Sequence, residues 1–100
     1  MPRSVLNKLR IPNDVAHLIR GMHPELKRKI RSALEIIVAN PGSGKALKDE
    51  LNGLQSSRVG KFRVVYKVAR RTIEIVVVGP RSKIYEETLR LIALRPTRGG

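Results

Sequence analysis

Three β-prone runs lie nearly end to end at about 56–59, 62–69 and 72–79, and the joints between them, Gly60-Lys61 and Arg70-Arg71, are two residues each. Joints that short restrict the chain to an antiparallel meander, because a parallel crossover needs a dozen residues or more. In the second run Phe62, Val64, Tyr66 and Val68 share one face, while Arg63, Val65 and Lys67 share the other. In the third, Ile73, Ile75 and Val77 alternate with Thr72, Glu74, Val76 and Val78. Period-two alternation places these sets on opposite sides of the sheet, and the apolar side has to be covered.

The cover lies upstream. Pro12-Asn13-Asp14 offers a helix start with Asn13 or Asp14 as cap, and Val15, Leu18, Ile19 and Met22 follow at helical spacing up to Gly21-Met22. A second helix opens at Pro24-Glu25, carries Leu26, Ile30, Ala33, Leu34, Ile37 and Val38 on one face, and stops at Asn40-Pro41-Gly42. With so short a joint the two helices fold back on each other as a hairpin. Val5 to Leu9 reads as an edge strand, 41–53 as a turn-rich polar connector, and 82–94 as a closing helix with Glu86 and Glu87 near its start. Arg95 to Gly100 reads as a frayed tail. The expected fold is therefore α+β: one domain over residues 1–100, an N-terminal helical hairpin packed on a small antiparallel sheet, in the order β-α-α-β-β-β with a C-terminal helix.

Charge narrows the partners. Lys and Arg number 21 against 8 Asp and Glu, a net charge of +13 on 100 residues. Self-repulsion at that level points to an anionic partner, nucleic acid first and an acidic protein second. The cations are spread along the chain and flank no apolar amphipathic face, which argues against a membrane surface. No apolar run is long enough to span a bilayer and no signal core follows Met1-Pro2-Arg3-Ser4, so the chain reads as soluble, untargeted and most simply cytoplasmic. The absence of cysteine excludes thiolate metal sites and thiol nucleophiles. With three aromatic residues, Phe62, Tyr66 and Tyr85, a base-stacking platform is poorly supported.

The phrases LNGLQSSRVGKFRVVYKV and IEIVVVGPRSKIY, in this element order, resemble the RelE/ParE superfamily of toxins from type II toxin–antitoxin pairs over about residues 45–85. The resemblance implies one of two activities on one scaffold. RelE-like members enter the ribosomal A site and cut messenger RNA, whereas ParE-like members inhibit DNA gyrase. RelE-like cleavage uses a ribose 2′-hydroxyl against its own 3′ phosphate and calls for no metal, cofactor or small-molecule substrate. Such an enzyme must align the nucleophile, stabilise extra charge on phosphorus and move two protons.

By the resemblance, Arg63 and Arg81 match the two phrase arginines and are expected to clamp the phosphate, since a planar guanidinium forks onto two oxygens at once. Tyr85 matches the closing tyrosine and is expected to take part in proton transfer or to stack on a base. Arg58 occupies the place of a cation on the preceding strand and is expected to serve the leaving oxygen or hold phosphate. Lys61, Lys67, Lys48 and Lys45 are expected RNA contacts. Ser56 stands where RelE-like sites can carry a second lysine, so the proton-transfer set is thinner here. Against these roles stand plain alternatives: Arg63 as a solvated cation on an exposed sheet face, Arg81 as an ordinary strand-end cation, Tyr85 as part of a packing stripe with Leu89 and Ile92. Tyr66 belongs to the core. His17 and His23 lie far from the hairpin and are not expected to act as bases, and Pro41-Gly42-Ser43-Gly44-Lys45 lacks the spacing of a phosphate-binding loop.

The leading expectation is a RelE-like, ribosome-dependent mRNA endonuclease that inhibits translation. A gyrase inhibitor and a catalytically weak RNA- or ribosome-binding homologue are the alternatives. The implied partners are the 70S ribosome with its mRNA and an acidic, RelB-like antitoxin whose disordered segment folds onto the basic surface.

Overall fold

In a computed structural model, which describes residues 8–94, the centre is a five-stranded sheet. Its strands are β1 (Lys8–Arg10), β2 (Lys45–Ala46), β3 (Leu54–Val59), β4 (Phe62–Ala69) and β5 (Thr72–Pro80), in spatial order β1-β5-β4-β3-β2. The helices are α1 (Asn13–Arg20), α2 (Pro24–Ala39) and α3 (Ile84–Leu94). β3, β4 and β5 form the expected meander, with Val59 paired to Phe62 and Ala69 to Thr72. Gly60 makes the first turn with φ +60, which a residue without a side chain adopts at no steric cost.

The α1–α2 hairpin covers one face of the sheet. Val15, Ile30, Ala33, Leu34 and Ile37 pack there on Val59, Val64, Tyr66, Ile73, Ile75 and Val78. A second cluster on the opposite face joins Leu47, Leu51, Leu54, Val65, Val76, Val77 and Ile84. The sheet is thus covered on both faces, and Val65, expected beside exposed cations, is fully buried.

Several local expectations change. α1 begins at Asn13 itself with Pro12 before it, so neither Asn13 nor Asp14 is the cap; Asp14 Oδ1 instead accepts from the Val15 N–H at 2.9 Å. α2 is capped by His23, whose Nδ1 accepts from the Glu25 N–H at 3.2 Å. The connector holds β2, a two-residue strand antiparallel to β3. β1 occupies the sheet edge as expected but runs parallel to β5. The expected strand residues 5–7 and the tail 95–100 lie outside the described residues. A bulge opposite Val65 and Tyr66 puts Val76 and Val77 on the same side, so Val77 leaves the helical-hairpin face and Val78 takes its place.

Tyr66 is fully buried, and its hydroxyl ties the connector to the sheet. The hydroxyl oxygen lies 2.8 Å from Pro41 O, to which it donates, and 3.0 Å from the Gln55 side-chain amide oxygen. Burial pushes the phenol above its ordinary value of 10.0, against a smaller opposing pull from the Gly44 backbone and the Ser43 side chain. Gly44 passes so close that a Cβ built there would overlap the Tyr66 hydroxyl.

Candidate functional site

The sheet face opposite the helical hairpin is organised in rows by strand register. Lys45, Ser56, Val65 and Val77 form one row across β2, β3, β4 and β5, and Arg58, Arg63 and Gly79 form the next. Arg63 is half-buried. Its guanidinium turns along the strand into the neighbouring row, where Nη1 donates to Ser56 Oγ at 2.8 Å. Ser56 is 1% exposed, so this bond fixes the cation from beneath and leaves its other N–H groups for a ligand.

Arg81 follows β5. Its backbone N–H donates to Lys61 O at 2.7 Å, which extends the β4–β5 ladder one step past the Phe62–Pro80 pair. That bond brings the exposed Arg81 opposite Lys61, at the tip of the β3–β4 hairpin and two residues before Arg63. Tyr85, in the first turn of α3, lines a depression of about 330 Å³ together with Lys45, Lys48, Asp49 and the apolar side chains of Leu47 and Leu51. Lys45 also pairs with Ser56 in the sheet. One strip therefore runs from Arg81 through Arg63 and Ser56 to Lys45, Lys48 and Tyr85.

Two of the expected residues go elsewhere. β2 pairs only as far as Ser56, so among the described residues Arg58 has a strand partner on the β4 side alone. Its Nε donates to Gly60 O at 3.3 Å, and its side chain lines a shallow depression with Arg28, Lys29, Ser32 and Ile36 of α2. Arg58 thus belongs to a second cationic patch at the sheet edge. Lys67 pairs with Glu74 and lines a depression with Glu50, Asn52 and Ile92, beyond Val65 from the Arg63 row. Carboxylates there compete with any phosphate.

The packing of α3 decides which of its two apolar stripes faces the sheet. Ile84 and Thr88 are fully buried and Leu91 packs on the second cluster, whereas Tyr85, Leu89 and Ile92 are 36%, 41% and 41% exposed. Tyr85 is accordingly held at a surface where a ligand can reach it. The residue that sequence reasoning missed is Ser56, which enters as a tether for Arg63. The available signal was its parity: it stands two residues before Arg58 and so shares the face of Arg63. Among the described residues no helix is long and apolar enough to cross a membrane, and no group of three or more His, Cys, Asp or Glu side chains could hold a metal ion.

This topology has relatives. The family model described as the ParE toxin of type II toxin–antitoxin systems matches residues 13–85. The chain belongs to this toxin family, within the RelE/ParE superfamily. Among solved structures it is similar to the RelBE2 toxin–antitoxin complex of Mycobacterium tuberculosis, with a TM-score of 0.68 and 25% identity over 77% of this chain and 100% of that one. The archaeal RelE–RelB complex of Pyrococcus horikoshii gives 0.64 and 22% over 78% and 98%. A free RelE toxin of E. coli with two arginines replaced by alanine gives 0.69 and 15% over 87% and 98%, a likeness of fold alone. No curated protein matches the chain in sequence. The toxin's α+β fold is the one these RelE structures share.

Proposed function

We propose that this toxin is a ribosome-dependent mRNA endonuclease, in which a ribose 2′-oxygen attacks the adjacent 3′ phosphate in the A site. The observation that supports it most is the tethered Arg63. A guanidinium fixed by a buried hydroxyl is already oriented when RNA arrives, so its charge is spent on the phosphate and little on reorganisation. Arg81, hung from the hairpin tip by its backbone, supplies a second cation to the equatorial oxygens.

Attack forms the O2′–P bond and breaks the P–O5′ bond, leaving a 2′,3′-cyclic phosphate and a 5′-hydroxyl. Lys45 and Lys48 hold the neighbouring backbone electrostatically, and Tyr85 offers its ring to a base or its hydroxyl to the departing oxygen. The edge patch of Arg28, Lys29 and Arg58 adds attraction for ribosomal RNA, strongest at low salt. The excess of positive charge also suits an acidic antitoxin of the RelB kind, the class of partner named in the M. tuberculosis and P. horikoshii complexes.

The deciding experiment adds the purified toxin to translating 70S ribosomes and maps the 5′ ends of the message. New ends within A-site codons are expected. Intact message together with loss of gyrase supercoiling would replace this reading by the ParE-like one.

A further inference from the structure

The reaction just described needs a group to take the 2′-hydroxyl proton, and the sequence expectation assigns it to none of the cations. The geometry of α3 brings a carboxylate beside the row that holds Arg63. Gly79 stands opposite Arg63 in the sheet, and a Cβ built on Gly79 would lie 3.2 Å from Ile84 Cδ1 and 3.6 Å from Glu87 Oε1. A side chain at position 79 would fill the space that Ile84 and Glu87 occupy. Glycine therefore lets α3 settle on the sheet closely enough to lay Glu87 over the row that holds Arg63.

The helix is fixed in that rotation. Ile84 and Thr88 are fully buried on either side of the turn, and Thr88 Oγ1 donates to Ile84 O at 2.7 Å. The Glu87 N–H donates to Lys83 O at 3.0 Å, and its side chain is half-buried. Glu86, one residue earlier in the same turn, is exposed. A purely helix-dipole role would be served equally by both. Other carboxylates on this face sit apart, Glu74 opposite Lys67, Glu50 in the Lys67 depression and Asp49 exposed in the Tyr85 depression.

We propose that Glu87 is the proton acceptor of the cleavage reaction. A phosphate gripped by Arg63 and Arg81 lies beside the Glu87 carboxylate, and the ribose on its 5′ side presents its 2′-hydroxyl to Oε1. The proton passes to Glu87 as the O2′–P bond forms. The P–O5′ bond then breaks, and O5′ takes a proton from the Tyr85 hydroxyl, which solvent restores, or directly from solvent. This assignment rests on the endonuclease reading and adds to it the base that reading lacks.

The test measures single-turnover cleavage on programmed ribosomes for the wild-type toxin, Glu87→Gln, Glu87→Asp and Glu86→Gln, with ribosome binding and thermal melting recorded for each. Glu87→Gln is expected to lose about 100-fold or more in rate with binding unchanged. Glu87→Asp should fall between it and wild type, and Glu86→Gln should match wild type. Repeating the assay with a 5′-bridging sulfur at the scissile linkage separates base from acid. Sulfur leaves without protonation, so it should not restore Glu87→Gln. Full rescue by sulfur would overturn the proposal by making Glu87 the acid, and cleavage by both Glu87 variants within about threefold of wild type would overturn it outright. Failure of the wild-type toxin to cut at all would instead sink the endonuclease reading, and this assignment with it.

Discussion

Arg63 and Ser56 belong to adjacent strands and adjacent rows, yet they are joined by a 2.8 Å bond from Nη1 to Oγ beneath the candidate site. A serine at position 56 thus does something a second lysine could not: it adds no repulsion and it aims the cation already present. Ser56→Ala should leave the fold nearly intact, with a loss of about 1 kcal/mol, the usual net worth of one such bond. Cleavage should fall about tenfold, because the guanidinium must now be oriented at the moment of reaction. Equal activity in Ser56→Ala and wild type, measured on programmed ribosomes, would remove the tether from the mechanism.

Replacing the two arginines separates charge from shape. Arg63→Ala and Arg81→Ala should each lower cleavage by about 100-fold or more, in the range seen when a preorganised donor to a transition-state anion is removed. Arg63→Lys should recover little of that loss, since an ammonium cannot both bond Ser56 Oγ and fork onto phosphate. Circular dichroism melts should stay close to wild type for Arg81→Ala, because Arg81 is exposed and lies outside the apolar clusters, whereas Arg63→Ala should lose about 1–3 kcal/mol of stability, since the buried Ser56 Oγ loses its partner. A lysine variant with wild-type rate would reduce the clamp to simple charge attraction.

The meander was legible because its evidence is local: alternation fixes the faces and two-residue joints fix the pairing. Tyr66, assigned to the core, is buried there, and the helical hairpin covers the expected face. What escaped depends on contacts distant in the chain. Lys45–Ala46 is a strand only because β3 offers an edge to it, and no alternation can be read in two residues. The bulge that moves Val77 to the second cluster sits where β5 meets α3, and it lets Val76 and Val77 both join the cluster that holds Ile84. In α3 two apolar stripes compete in the sequence, and only the sheet selects Ile84, Thr88 and Leu91 for burial over Tyr85, Leu89 and Ile92. Arg58 shows the same limit at the site. Its strand parity is that of Arg63, but among the described residues the pairing with β2 ends at Ser56, and the Arg58 side chain turns to Gly60 O.

Gly44 and Tyr66 make the connector dependent on one close approach. A methyl group at position 44 would overlap the Tyr66 hydroxyl and lie 3.0 Å from Tyr66 Cζ and 3.1 Å from Ser56 O. The obstacle is a buried ring and a strand backbone, neither of which yields readily. Gly44→Ala should therefore cost about 1–3 kcal/mol, typical of an overpacked site, and lower the melting temperature by roughly 4–8 °C for each kcal/mol. Because Gly44 precedes Lys45, cleavage should weaken as well. Calorimetry showing an unchanged melting temperature would mean that the connector swings away without loss.

Tyr66 also makes a prediction about alkaline pH. Burial raises its pKa in the folded state, while the unfolded chain should titrate near the ordinary value of about 10. Between those two values the folded protein binds more protons than the unfolded one, so stability is complete below about pH 10 and falls as pH rises through the folded pKa. The slope from this one group is at most about 1.4 kcal/mol per pH unit. Tyr66→Phe removes it, at a cost of about 1–3 kcal/mol at neutral pH because Pro41 O and the Gln55 amide lose their partner. Urea unfolding between pH 8 and pH 11 should therefore show the difference between wild type and Tyr66→Phe constant at first and then narrowing, with the lysines common to both proteins cancelling. A difference that stays constant to pH 11 would show that the phenol ionises in the fold as readily as it does in water.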